Sequence, residues 1–279
     1  METARAIDGQ TDALFRHLAR TSGLPGERAN LALAESFAEI AVAHGRRADA
    51  LLCGMATLTP AAAPGATAFE FLPVCGIYGL ALAASKEERA YRKVVPLLHE
   101  LADDLRFRVR DAVVAGLAVI GEKRSKQLVS DLASWTDGYH HAAAALQALR
   151  TERWLRSLND VTSILLRVEE SFHLLEEAPR AAARYPGHKE LVDALGVTPR
   201  ALALRFGTPV FDLFAGWTRS KDPDLRAIIE KNLDDSKLAS RYGDEVKRVH
   251  KALADTAPPV RNPDHNFGPH RGRGKKNRR

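Results

Sequence analysis

Residues 94–122 read VVPLLHELADDLRFRVRDAVVAGLAVIGE. Val94, Leu97, Leu98 and Leu101 recur at the three-to-four spacing of one helix face. After the acidic turn Asp103-Asp104, Val109, Val113, Leu117 and Ile120 do so again. Two apolar-faced helices joined by so short a turn make a hairpin. Pro96 lies inside the first helix and is expected to kink it, because it removes one backbone bond and crowds the preceding turn. Three-to-four spacing runs through nearly all of the chain, period-two runs are lacking, and stretches such as Ala142–Ala145 favour helix strongly. The reading is all-α, with about fourteen helices.

Punctuation supports it. Ser85 and Glu88 have the spacing of a capping box, and Thr198-Pro199, Thr208-Pro209 and Asp222-Pro223 each set a capping side chain before a proline suited to a first helical turn. Gly121, Gly187 and Gly207 suit helix ends. Thr59–Gly65 (TPAAAPG) reads as a loop between subdomains.

The hairpin recurs. Phe211–Leu233 (FDLFAGWTRSKDPDLRAIIEKNL) repeats its layout with a shorter turn, Asp222 to Arg226. Leu128–Leu149 (LVSDLASWTDGYHHAAAALQAL) does so with His141 where Arg226 sits. From Arg110 to Arg226 is three periods of about 39 residues, within the range for helical repeats. With Asp104 six positions before Arg110, the pattern resembles the HEAT-repeat family, most clearly over 94–150 and 205–254. The resemblance implies a right-handed α-α superhelix of stacked hairpins, in which Asp104 and Arg110 bond across the turn, Val109 fills the hairpin core, and a concave surface grips a partner. Asp104, Val109, Arg110, Asp137, Asp222 and Arg226 are the structural repeat residues it implies. The expected division is 1–58 as a helical cap or divergent repeats, 67–255 as the solenoid and 256–279 as a tail.

Charge is unevenly placed. The chain carries 41 Lys+Arg against 35 Asp+Glu. From Arg261 onward lie seven basic residues and one acid, so residues 1–260 hold 34 of each and are neutral. The end segment, rich in Pro and Gly without apolar periodicity, is expected to be disordered in isolation. Its Arg271, Arg273, Lys275, Lys276, Arg278 and Arg279 suit phosphates. On the body, Arg108 belongs to a basic run, and Arg150, Arg153 and Arg156 follow one another at spacing three beside Trp154; if aligned, these form a positive stripe for nucleic acid.

Chemistry is harder to find. The sequence has no GxSxG, Walker, HExxH or GxGxxG motif. His140 and His141 diverge by about 100° on a helix, and Cys53 and Cys75 make neither a disulfide framework nor a zinc pair. No metal ligand, cofactor or catalytic residue is assigned. Phe71–Ala84 is uncharged but shorter than the roughly 17–25 residues that span a bilayer, so a buried helix is expected. Met1–Asp8 lacks the apolar core of a secretory signal, and a cytoplasmic monomer away from membranes is expected.

The leading expectation is therefore a non-catalytic scaffold for a macromolecule, either nucleic acid or an acidic protein. Trp135 with Asp137, and Trp217 with Asp222, offer an alternative, since such pairs resemble the indole and carboxylate of HEAT-like alkylpurine DNA glycosylases. The second alternative is a protein–protein adaptor.

Overall fold

A computed structural model of the chain describes residues 2–257. Every regular element among them is helical, so the chain is all-α as expected. Short α1 (Glu2–Ile7) and α2 (Asp12–Thr21) precede α3 (Leu31–Ala43), α4 (Asp49–Ala56) and α5 (Phe71–Lys86). The hairpin that opened the sequence reading is α6 (Glu88–Leu101) and α7 (Phe107–Asp131), and a 3-10 turn (Leu132–Asp137) leads to α8 (Tyr139–Leu149). Beyond a single turn, α9 (Glu152–Leu155), come α10 (Val161–Glu176) and α11 (Pro186–Leu195). The last five are α12 (Thr198–Phe206), α13 (Thr208–Trp217), α14 (Pro223–Leu233), α15 (Ser236–Arg241) and α16 (Gly243–Asp255).

Packing passes from neighbour to neighbour. α3, α4, α6 and α7 surround α5; α7 then meets α8, α8 meets α11, and α13 meets α16. The uncharged stretch of α5 is thus a core helix, buried from Phe71 through Ala81. Together with the 3-10 turn before it, it forms the one described helix, Ala68–Lys86, long and apolar enough to cross a membrane by length and composition, and 72% of that window is buried. Gly76 lets α4 press against it, since a Cβ there would lie 2.4 Å from the Ala56 amide nitrogen.

Two observations give this packing a period. Val109 and Leu225 are both wholly buried, each the third residue of its helix, and each is followed by its arginine, Arg110 or Arg226. Side-chain hydrogen bonds then connect positions one hairpin apart. Gln127 donates to Glu88 over 39 residues, the Tyr91 hydroxyl to Asp131 over 40, and the Asn232 amide to the Leu195 carbonyl over 37. Arg248 donates to Asp212 over 36 and Thr256 to the Thr218 carbonyl over 38. Such a ladder is consistent with stacked hairpins.

Several local expectations are corrected. Asp104 does not hold Arg110 through its carboxylate. Arg106, two residues on, clasps it with Nε at 2.9 Å and Nη2 at 2.7 Å and reaches the Ala63 carbonyl at 3.0 Å, leaving Arg110 only the Asp104 main-chain oxygen at 2.7 Å. Arg226 makes the equivalent bond to the Thr218 carbonyl, while Asp222 caps α14 through the amides of Asp224 and Leu225. His141 is third in α8, one position short of the arginine register. Ser85 ends α5 and donates to Leu82, so the capping box does not form, and Thr198 lies inside the fold, donating to the Leu146 carbonyl. Thr208 makes no cap bond. Gly187 is the second residue of α11, not a helix end; Gly207 does join two helices.

Gly121 lies within a turn of a break in α7, where Arg124 leaves the helical backbone (φ -127°, ψ 38°), and its role is space. Trp154 is fully buried against it, with indole atoms 2.2 Å from where a Cβ would be. Overpacking costs about 1–3 kcal/mol and alanine returns about 1 kcal/mol of helix propensity, so Gly121→Ala should destabilise by about 1 kcal/mol, and by no more than about 2, in urea unfolding. Arg106 and Asp104 form a buried pair, with side chains 4% and 10% exposed. Arg106→Ala strands the carboxylate, and a loss of about 3 kcal/mol or more is expected in the same assay.

Candidate functional site

The amino-terminal ends of α7, α8 and α11 stand side by side. Arg110, one turn into α7, donates to Glu190 Oε1 of α11 at 2.6 Å, and the other oxygen of that carboxylate lies 2.9 Å from His140 Nδ1 of α8. One carboxylate therefore bridges three helices. Phe107, Asp111, Gln147 and Asp193 help close a cavity of ≈170 Å³ around it. Loss of water pushes the Asp111 carboxyl up to about 6, against the pull of Arg108 and Arg110 and with Glu190 adding to the rise.

Large apolar side chains flank this network. Leu105, in the α6–α7 turn, is 88% exposed, Phe107 is 60% exposed, and Tyr185, just before α11, is 62% exposed. Sequence periodicity missed all three, because they sit at helix starts and turns where spacing carries no facial information. Around them acids and bases are mixed: Asp111, Glu190 and Asp193 against Arg110 and His140.

A second cleft, ≈800 Å³, opens between α6 and the 3-10 turn. His99 and Asp137 line it, and His99 Nε2 lies 3.0 Å and His141 Nδ1 2.8 Å from the same oxygen, Oδ1 of Asp137. Burial works against the Asp137 charge, yet the bonds from His99 and His141 outweigh it and hold the carboxyl below its ordinary value. Sequence reading assigned these residues no common site. The available signals were the four-residue spacing of Asp137 and His141, and the 38 residues, one hairpin, between His99 and Asp137.

The nominated phosphate contacts fare differently. Trp154 is corrected outright: it is a core residue, its indole nitrogen donating to Ser125 Oγ at 3.0 Å. Arg108 donates to the carbonyls of Gly26 and Glu27. Arg153 pairs with Glu122 at 2.6 Å, and Arg156 pairs with Glu152. Arg150 is exposed, but α8 ends before it and α9 spans only Glu152–Leu155, so the three arginines share no continuous helix face. Arg271, Arg273, Lys275, Lys276, Arg278 and Arg279 lie outside the described residues. Of the indole–carboxylate pairs, Trp135 is 1% exposed with Asp137 engaged by two imidazoles, and Trp217 stacks on Phe172 at 5.1 Å while Asp222 is spent as a helix cap. Neither presents a free ring face beside a free carboxylate.

Comparison with protein-family models, with curated proteins and with solved structures finds no match for this chain.

A carboxyl raised by folding favours the protonated form, so Asp111 contributes most stability below about pH 4 and loses it as pH rises through about 6. The residue keeps contact with solvent, which screens the effect to below about 1 kcal/mol. Urea unfolding between pH 4 and 7 should show this decline in the native chain and a shallower one in Asp111→Asn.

Proposed function

We propose that this chain is a non-catalytic, HEAT-like repeat scaffold that docks a protein partner along the edge formed by the starts of α7, α8 and α11. The observation that carries the reading is the exposure of Leu105, Phe107 and Tyr185 beside the Arg110–Glu190–His140 network. Apolar side chains ringed by paired polar groups are how protein interfaces are built, with a few aromatic anchors supplying most of the energy. A nucleic-acid groove instead needs unpaired cations, and Arg108, Arg153 and Arg156 are each engaged within the fold. The basic tail adds electrostatic attraction to phosphates or acidic surfaces, a role separable from the body by truncation.

Phe107→Ser with Tyr185→Ser changes only exposed positions, where effects on stability stay within about 0.5 kcal/mol. In nuclease-treated extracts, a partner held by the native chain should bind the double variant about 30-fold more weakly, as expected when an anchor worth about 2 kcal/mol is lost. Equal capture by both chains defeats the reading. So does gel-shift binding of DNA or RNA by residues 1–255 at about 50 mM salt, where phosphate contacts are strong.

A further inference from the structure

Three donors meet at the margin of the larger cleft, which His99 and Asp137 line. One donor atom from each of His99, Asp137 and His141 lies within 4.8 Å of the other two. We infer that these residues form a binding site for a divalent transition-metal ion of the zinc class. The site is separate from the docking edge and does not depend on it.

The distances fit. Zinc binds imidazole nitrogen at about 2.0–2.1 Å and carboxylate oxygen at about 2.0–2.2 Å, so tetrahedral donors stand about 3.3 Å apart. Here both nitrogens lie 2.8 and 3.0 Å from Asp137 Oδ1, and all three donors lie within 4.8 Å of one another, so seating the ion opens the first two distances by a few tenths of an ångström and sets the two imidazole nitrogens to the same spacing. The donor types fit as well. Two imidazoles and one carboxylate suit zinc, nickel, copper or ferrous iron, whereas magnesium and calcium need six or more oxygens.

The cluster is also held from outside. His99 sits in the last turn of α6 with Trp135 edge-on, ring centres 5.1 Å apart. The His141 ring covers Gly138, where a Cβ would fall 2.7 Å from Nδ1. The two imidazoles lie face to face, 3.8 Å between centres and 31° apart in tilt. Their side chains are 25% and 15% exposed and that of Asp137 is 55% exposed, so an ion reaches the donors from solvent and keeps one position open to it.

Binding has a proton signature. A carboxylate only accepts, so His99 carries its hydrogen on Nε2 and His141 on Nδ1 when each bonds Asp137. An ion takes the lone pairs of those same nitrogens, and each hydrogen moves to the other nitrogen of its ring, Nδ1 of His99 and Nε2 of His141. No net proton need leave either ring.

The test is calorimetric titration of the full chain with zinc chloride and with magnesium chloride. One zinc site is expected, weakened at least about a hundredfold in His99→Gln, Asp137→Asn or His141→Gln. It should be unchanged in His17→Gln and in the tail variant His265→Gln with His270→Gln, and magnesium should not compete. Nitrogen-15 NMR of the native chain reads the same event without any substitution, as exchange of the hydrogen-bearing nitrogen in His99 and His141. Absence of zinc binding, equal affinity in the three ligand variants, equal binding of magnesium, or unchanged tautomers at saturating zinc each overturns the site.

Discussion

A helical hairpin cannot bury its own apolar face, and that constraint organises this molecule. Helix α5 has apolar residues on every side, and only neighbours from both directions of the chain, α3 and α4 before it and α6 and α7 after, remove that surface from water. Consistent with stacked hairpins, several polar side chains find partners 38 to 40 residues away: Gln127 to Glu88, Tyr91 to Asp131, Thr256 to Thr218. The ladder is the polar counterpart of the buried seam marked by Val109 and Leu225.

Packing between helices assembles both clefts. Arg110, His140 and Glu190 come from α7, α8 and α11, and His99 and Asp137 meet although 38 residues apart in the chain. Functional groups in such a molecule are gathered by stacking, so local motifs need not exist. That is why the sequence holds no contiguous signature of this kind while the fold forms two polar clusters.

Arginine has an unexpected task here. Arg106, Arg108, Arg110, Arg205, Arg226 and Arg241 all donate to main-chain carbonyls, several of them at turns or helix ends. Helix carboxyl ends leave carbonyls without partners, and a guanidinium with five donors satisfies them across a gap that lysine cannot bridge as well. These six arginines thus brace turns and helix ends, and the number of basic residues in the body gives little information about phosphate binding. Only what each arginine touches separates the two uses.

All-helical architecture, the hairpin at 94–122, the burial of α5 and the cap at Asp222 were legible from spacing and local chemistry, because helix faces and caps depend on residues within a turn of one another. Arg106 taking Asp104 from Arg110, Trp154 filling the space over Gly121, the exposure of Phe107 and Tyr185, and the meeting of His99, Asp137 and His141 were decided by the tertiary structure alone. Each depends on the distance and angle between two helices, a quantity set by how side chains interlock across the interface. Sequence spacing repeats along one helix and carries no information about that angle.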